Sequence, residues 1–207
     1  MKIVLATPDD AMAAAWEAAC HGLPEVILQR GSILDLACDA IVSPANSFGF
    51  MDGGLDLLYS EHFGWDLQLR LRRRILDHHH GELLVGQAEI VETGNDGIPF
   101  MIAAPTMRVP MYLGEATVNP YLATRAALLL VRHGALPSGE AISSRVTTVA
   151  FPAMGTGVGR VPAAICARQM RQAFHDVLLA SPRLPTSWAE ASEDHQRLYT
   201  DSPTRLQ

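Results

Sequence analysis

The sequence predicts an α/β layered fold, a largely parallel or mixed sheet covered by helices. Strand-like and helical runs alternate along the chain. One strand, DAIVS at 39–43, is apolar on successive residues, as expected of a strand covered on both faces. With 207 residues, 48% of them hydrophobic, the chain is long enough for one well-buried core. The expected organisation is one domain over 1–180 and a C-terminal tail over 181–207.

The first strand is expected at 2–6. Thr7 then offers an N-cap, with Pro8 at the first helical position and Asp10 three residues after the cap, opening a helix with Met12, Ala15, Trp16 and Ala19 on one face. Gly22 stops it. Strands follow at 24–29 and 39–43, then helices at 55–63 and 65–80, divided by Gly64 and stopped by Gly81. Residues 84–92 and 100–104 read as strands, and Asn119-Pro120 starts a helix that Gly134 ends. The last strand, 146–151, runs into a glycine loop. Pro162 then begins a helix whose Cys166, Met170, Ala173 and Val177 face inward. From Ser181 the composition turns to Pro, Ser, Thr and charge, which predicts a loosely packed, extended or partly helical tail.

A formal charge of −6, with no Lys/Arg run that resembles a phosphate-backbone footprint, makes nucleic acid an unlikely partner. The N-terminus has only a short apolar run before Thr7-Pro8, and no later run approaches bilayer length. A soluble, cytoplasmic protein with no membrane contact is expected. Cys20, Cys38 and Cys166, odd in number and in apolar settings, read as buried reduced thiols.

Two glycine-rich segments leave the ends of buried strands and enter helices, which is where ligands bind in an open α/β sheet. The second, Gly155-Thr156-Gly157-Val158-Gly159, allows close backbone approach and can turn successive N–H groups toward a diphosphate beside a helix N-terminus. Main-chain donors suit a chain of negative charge. A dinucleotide-binding fingerprint would want glycine at Arg160, so a nicotinamide enzyme is the weaker rival; no Gly-Lys-Ser/Thr supports a P-loop. In the first loop, Asn46 closes the strand, Gly53-Gly54 let a ligand lie against the backbone, and Asp56 sits in the first helical turn. An amide and a carboxylate on one cleft can orient sugar hydroxyls and polarise a water. The structural alternatives are a turn-forming Asn46 bonded to its own loop and helix-start electrostatics for Asp56.

At these residues the sequence resembles the macrodomain family, whose members bind ADP-ribose. The family's D-A-I-V-N-A-A-N strand end and glycine loop are matched by DAIVSPAN followed by SFGFMDGGLD, and its P-A-I-S-T-G-I-Y-G-Y-P loop by PAMGTGVGRVP. GSIL at 31–34 corresponds to the family's G-D-I segment, so the likeness spans roughly 27–178. With APTMRVPM, the G-T-G-V-G loop looks most like a bacterial, phage-related branch. The resemblance implies a three-layer α/β/α sandwich that binds ADP-ribose; no cofactor or metal is expected. Asn46 and Asp56, in MacroD-like spacing, would meet the distal ribose and serve catalysis. Gly31, Ser32 and Ile33 would flank adenine, and Ala45, Gly53, Gly54 and Leu55 would line the first loop. Gly155, Thr156, Gly157, Val158 and Gly159 would cradle the diphosphate through backbone N–H groups, with Pro152, Ala153, Met154 and Arg160 as further ligand-binding residues of the second loop. The implied activity is hydrolysis of ADP-ribosyl esters on proteins or of O-acetyl-ADP-ribose, the alternative a non-catalytic ADP-ribose reader.

The sequence departs from the family pattern in places. Ser32 stands where an aspartate usually contacts adenine, and Gly159 replaces a common loop aromatic, leaving Phe48 or Phe50 to pack on the distal ribose. The customary last strand is missing, and an extra strand and helix precede the first loop. Of the other features, Asp77-His78-His79-His80 invites a metal reading, but consecutive helical residues point in different directions. Arg108 and Arg160 read as surface charges, each with the option of a phosphate or carboxylate partner.

Overall fold

A computed structural model describes residues 1–204. Strands β1 (Lys2–Thr7), β2 (Val26–Arg30), β3 (Ala40–Ser43), β4 (Glu89–Glu92), β5 (Phe100–Ala103) and β6 (Thr148–Phe151) form one sheet. Its order is β2-β1-β6-β3-β5-β4, with every pairing parallel except β4 against β5. The helices are α1 (Asp10–Cys20), α2 (Gly54–Phe63), α3 (Asp66–His79), α4 (Asn119–His133), α5 (Ile142–Arg145), α6 (Ala163–Phe174) and α7 (Trp188–Gln196).

The central strands alternate their side chains between two cores, because successive residues of a strand point to opposite faces. Ile3, Leu5, Ala40 and Val42 join Trp16 of α1, Leu128 of α4 and Met170 of α6 on one face. Val4, Ala6 and Ile41 join Tyr59 of α2 and Leu67, Leu71 and Ile75 of α3 on the other. The result is the expected α/β/α sandwich with a mixed sheet.

Several local expectations are revised. Asp9 rather than Thr7 caps α1: its Oδ1 accepts from the Met12 N–H at 2.6 Å, and Thr7 Oγ1 instead accepts from the Asp9 N–H at 3.1 Å. Extending β1 through Thr7 moves the cap two residues along. Asp9→Ala should therefore lower stability by about 1 kcal/mol in denaturant unfolding, whereas Thr7→Ala should cost less. The strand expected over 84–92 shrinks to Glu89–Glu92, since Gly86 at φ 94° and a Gln87 N–H to Leu84 C=O bond of 2.9 Å turn the chain before it. Helix α3 ends at His79, with His80 and Gly81 both left-handed. A 3₁₀ turn at Ile33–Asp35, the short α5 and a π turn at His175–Leu179 continuing α6 were not anticipated. All three cysteines are free and buried, and burial pushes the Cys166 thiol up to about 12. Among the described residues, no strand follows β6 and no helix is long and apolar enough to cross a membrane. In the tail, α7 buries none of its own residues, although Leu198 just beyond it is buried.

Candidate functional site

A cleft of about 910 Å³ opens at the carboxyl ends of β1, β6, β3 and the segment after β5. This is the end at which the parallel strands of an open sheet deliver their loops. Asp56 and Gly157 line it together, as do Ser32, Ile33, Ala45, Asn46, Gly53, Gly54 and Leu55 from the first half of the chain. Pro152, Ala153, Gly155, Thr156, Val158 and Gly159 line it from the second half. Gly31, Met154 and Arg160 are not among the lining residues. Gly31 is held by its N–H to Thr7 C=O (3.0 Å), and Met154 is wholly buried in the core. Arg160 is exposed, beyond the turn.

The second loop folds as a closed turn. Val161 N–H donates to Gly155 C=O and Arg160 N–H to Gly157 C=O, both at 3.1 Å; Leu113 N–H donates to Gly159 C=O at 3.0 Å. Gly155 sits at φ 77°, and Arg160 takes the left-handed conformation, φ 53°, where the dinucleotide fingerprint has glycine. A Cβ on Gly159 would lie 2.5 Å from Gly155 C=O and 2.8 Å from Leu113 Cδ1. Packing therefore demands glycine there, and it accounts for the missing aromatic. Among the described residues, the N–H groups of Thr156, Gly157, Val158 and Gly159 have no protein acceptor. Four adjacent donors on the wall of a cleft are available to an anion.

The first loop is anchored from beneath. Gln68 Oε1 accepts from the Met51 N–H at 2.7 Å, and Ser60 Oγ donates to Met51 C=O at 2.8 Å. Gly54 at φ 58° then starts α2, whose N-cap Gly53 supplies no capping side chain, so the first-turn N–H groups face no side-chain acceptor. Asp56 is 8% exposed, and Ser43 Oγ donates to its Oδ1 at 2.5 Å. Burial raises its pKa from 3.8 to about 6, against the opposing pull of the Ser43 hydrogen bond. Asn46 lines the cleft but spends its amide on its own loop. Its Oδ1 accepts from the Phe48 and Phe50 N–H groups at 3.1 and 3.3 Å, and its Nδ2 donates to Phe50 C=O at 2.7 Å. The turn-forming alternative for this side chain is the one observed. Ser32 is similarly engaged, its Oγ accepting from the Leu34 N–H at 3.2 Å to cap the 3₁₀ turn.

The lining also includes residues that local sequence reading did not single out. Thr106 and Met107 enter because the chain continues pairing past β5. Ala104 N–H donates to Ser43 C=O, Thr106 N–H to Ala45 C=O, and Asn46 bridges Met107. Their signal was the PTM segment directly after a parallel strand. Thr7, Pro8 and Leu58 complete the apolar walls, with Phe48 and Phe50 at the mouth. Arg72 stacks over Phe50 at 4.4 Å and Arg108 over Phe48 at 5.0 Å, the latter ion-paired with Glu82 at 2.6 Å. Arg108 thus takes the carboxylate option. No Lys or Arg lines the cleft itself among the described residues.

The consecutive histidines behave differently from the helical expectation. His78 Nδ1 and His79 Nε2 approach one oxygen of buried Glu89, at 3.4 and 3.2 Å, while Arg74 holds the other at 3.0 Å. They converge because β4 brings one carboxylate under the end of α3.

Residues 42–170 match the Macro domain family. The chain belongs to that family. This macrodomain is 34% identical over 147 residues to an uncharacterized protein of Aquifex aeolicus, covering 70% of this chain and 78% of that one. It is 32% identical over 156 residues to one from Aeropyrum pernix, covering 74% of each. Among solved structures, the macrodomain of Mycobacterium tuberculosis DarG superposes with a TM-score of 0.57 at 20% identity, covering 70% of this chain and 86% of that one. A mutant of the Oceanobacillus iheyensis macrodomain with ADPR superposes at 0.55 and 21%, covering 69% and 74%. At such identity these structures establish a common fold. The macrodomain match begins inside β3, so β1, α1 and β2 precede it, yet β1 lies within the sheet and Thr7 within the cleft wall.

Proposed function

We propose that this macrodomain binds ADP-ribose or a close derivative in the cleft between its two glycine loops. The observation that carries the reading is the run of four unpartnered N–H groups, Thr156 to Gly159, on the same cavity as the buried Asp56 carboxylate. The diphosphate would lie on that run, the distal ribose between Asn46 and Asp56, and the adenine near Ser32 and Ile33. The bound solved relative supports the choice of ligand. Ser32 Oγ accepts as a cap but keeps its O–H to donate, so adenine would be held by apolar contact and that one neutral hydroxyl.

The same reading extends to hydrolysis of an ADP-ribosyl ester, on a cytoplasmic protein or as O-acetyl-ADP-ribose. Asp56, in MacroD-like spacing to Asn46, would accept a proton from water as the water adds and the ester bond breaks. A carboxylate brought to about 6 is well matched to that work near neutral pH. The reader alternative draws its support from Asn46, whose Oδ1 and one of whose two Nδ2 hydrogens are already taken by the loop. Calorimetry comparing ADP-ribose, NAD and AMP tests the binding: heat with ADP-ribose that exceeds both others is expected, and none at millimolar concentration overturns it. Incubation with an auto-modified ADP-ribosyltransferase separates the two roles, because an enzyme releases the label and a reader retains it.

A further inference from the structure

Asp56 stands in the first turn of α2, and among the described residues one hydrogen bond ties its carboxyl to the rest of the protein. The donor is Ser43, the last residue of β3, whose Oγ lies 2.5 Å from Asp56 Oδ1. The strand is a firm base for that donor. Ser43 is wholly buried, stands in register with Ala103 of β5, and accepts the Ala104 N–H at its own C=O, 3.0 Å away. Asp56 lines the cleft and Ser43 does not, so the hydroxyl meets the carboxyl from the sheet side. Among the described residues, Asp56 Oδ2 has no hydrogen-bond partner.

The neighbouring titratable groups leave this bond to act alone. Tyr59, three residues along α2 and wholly buried, gives its hydroxyl to Val42 C=O at 3.1 Å. Burial and the Asp56 charge raise its pKa well above the ordinary 10, and burial pushes the Cys38 thiol up to about 11, so both are neutral near pH 6. Asp52, the other acid on the cleft lining, is exposed on the first loop. With no Lys or Arg on that lining among the described residues, a hydroxyl takes the place of a cation beside the carboxylate. Its bond to the ionised carboxylate is charge-assisted and stronger than its bond to the neutral acid, so it opposes the burial that favours protonation. It also restricts rotation of the side chain, because Oδ1 has to stay on Ser43.

We propose that Ser43 is the positioning residue of Asp56: its hydroxyl fixes Oδ1 and leaves Oδ2 to face the cleft and take a proton from water. The proposal rests on the hydrolytic reading of the site, but the hold on the carboxyl is measured without substrate. The test is a titration of the Asp56 carboxyl carbon by NMR in wild type and Ser43→Ala, the resonance being the one that Asp56→Asn lacks. Strand pairing at Ser43 uses only backbone, so the alanine variant should fold. The midpoint, about 6 in wild type, should rise by about one pH unit in Ser43→Ala. Release of ADP-ribose from an auto-modified transferase should show its pH limb moved up by the same amount. Above both midpoints, with the carboxylate ionised in each protein, Ser43→Ala should still release about tenfold more slowly, while free ADP-ribose binds both alike because Ser43 does not line the cleft. Equal midpoints overturn the proposal whatever the rates, and a shifted midpoint with equal rates above it shows that Ser43 positions nothing. A shifted midpoint with no release by wild type overturns the hydrolytic reading and, with it, the part of Ser43 in catalysis.

Discussion

Asp56→Asn should reduce release of ADP-ribose from a modified carboxylate by about 10²–10⁴-fold, with the affinity for free ADP-ribose changing by roughly less than tenfold. The substitution keeps the shape of the side chain and an oxygen to accept from Ser43 Oγ, and removes the negative charge and with it the ability to take a proton. In the wild type the rate should rise with pH through about 6 as the buried carboxylate ionises. The variant's residual rate should lack that limb. Equal, measurable rates for the two proteins would remove Asp56 from the chemistry, and no release by either would leave a reader. The same group has a signature in stability. Its folded pKa lies above its ordinary 3.8, so between about pH 4 and 6 the native state holds a proton that the unfolded chain has lost. Stability from this residue is thus full below pH 4 and falls as pH rises toward 6. Denaturant curves should show wild type losing about 2–3 kcal/mol relative to Asp56→Asn between pH 4 and 7. Parallel pH profiles for the two would show that burial does not perturb the carboxyl.

Gly159→Ala should lose ADP-ribose binding by about a hundredfold and cost about 1–3 kcal/mol of stability, the usual range for forced overpacking. The added methyl would meet the Gly155 carbonyl at 2.5 Å and Leu113 Cδ1 at 2.8 Å, and the first of these is backbone. The loop must open to admit it, and opening displaces the four unpartnered N–H groups of the cleft wall. Gly157→Ala is the matched control. Its Cβ meets nothing within 4 Å and its φ is not left-handed, so its stability should stay within about 0.5 kcal/mol of wild type. Unfolding curves and ADP-ribose calorimetry on the pair check both parts. Equal stability for the two alanine variants would mean that the turn is pliable and that its glycines serve the ligand alone.

Much of the architecture was legible because it rests on short-range pattern. The consecutive apolar residues of 39–43 mark a strand covered on both faces, and Ala40 to Ser43 are all buried. Gly64 closes α2 at φ 90° through local backbone freedom, Gly134 closes α4 where a Cβ would lie 2.5 Å from Leu130 C=O, and Gly81 follows the His80 cap of α3 by one residue. The two glycine loops could be assigned to one crevice for a similar reason, since both leave carboxyl ends of strands that share a sheet. Less legible were features set by a neighbour distant in sequence. Asp9 took the cap from Thr7 because β1 pairs with β2 as far as Arg30. The early part of 84–92 failed to extend β4 because a turn at Gly86 intervenes.

The sequence by itself determined the order of elements, the α/β class and the pair of glycine loops, since periodicity and turn chemistry act over a few residues. Only the tertiary structure decided how the polar groups were spent. It turned Asn46 and Ser32 inward on their own loops, buried Asp56 against Ser43, and left the Thr156–Gly159 amides without protein partners. Hydrogen-bond satisfaction and desolvation depend on which atoms meet in space, and that information appears only once the sheet has been assembled.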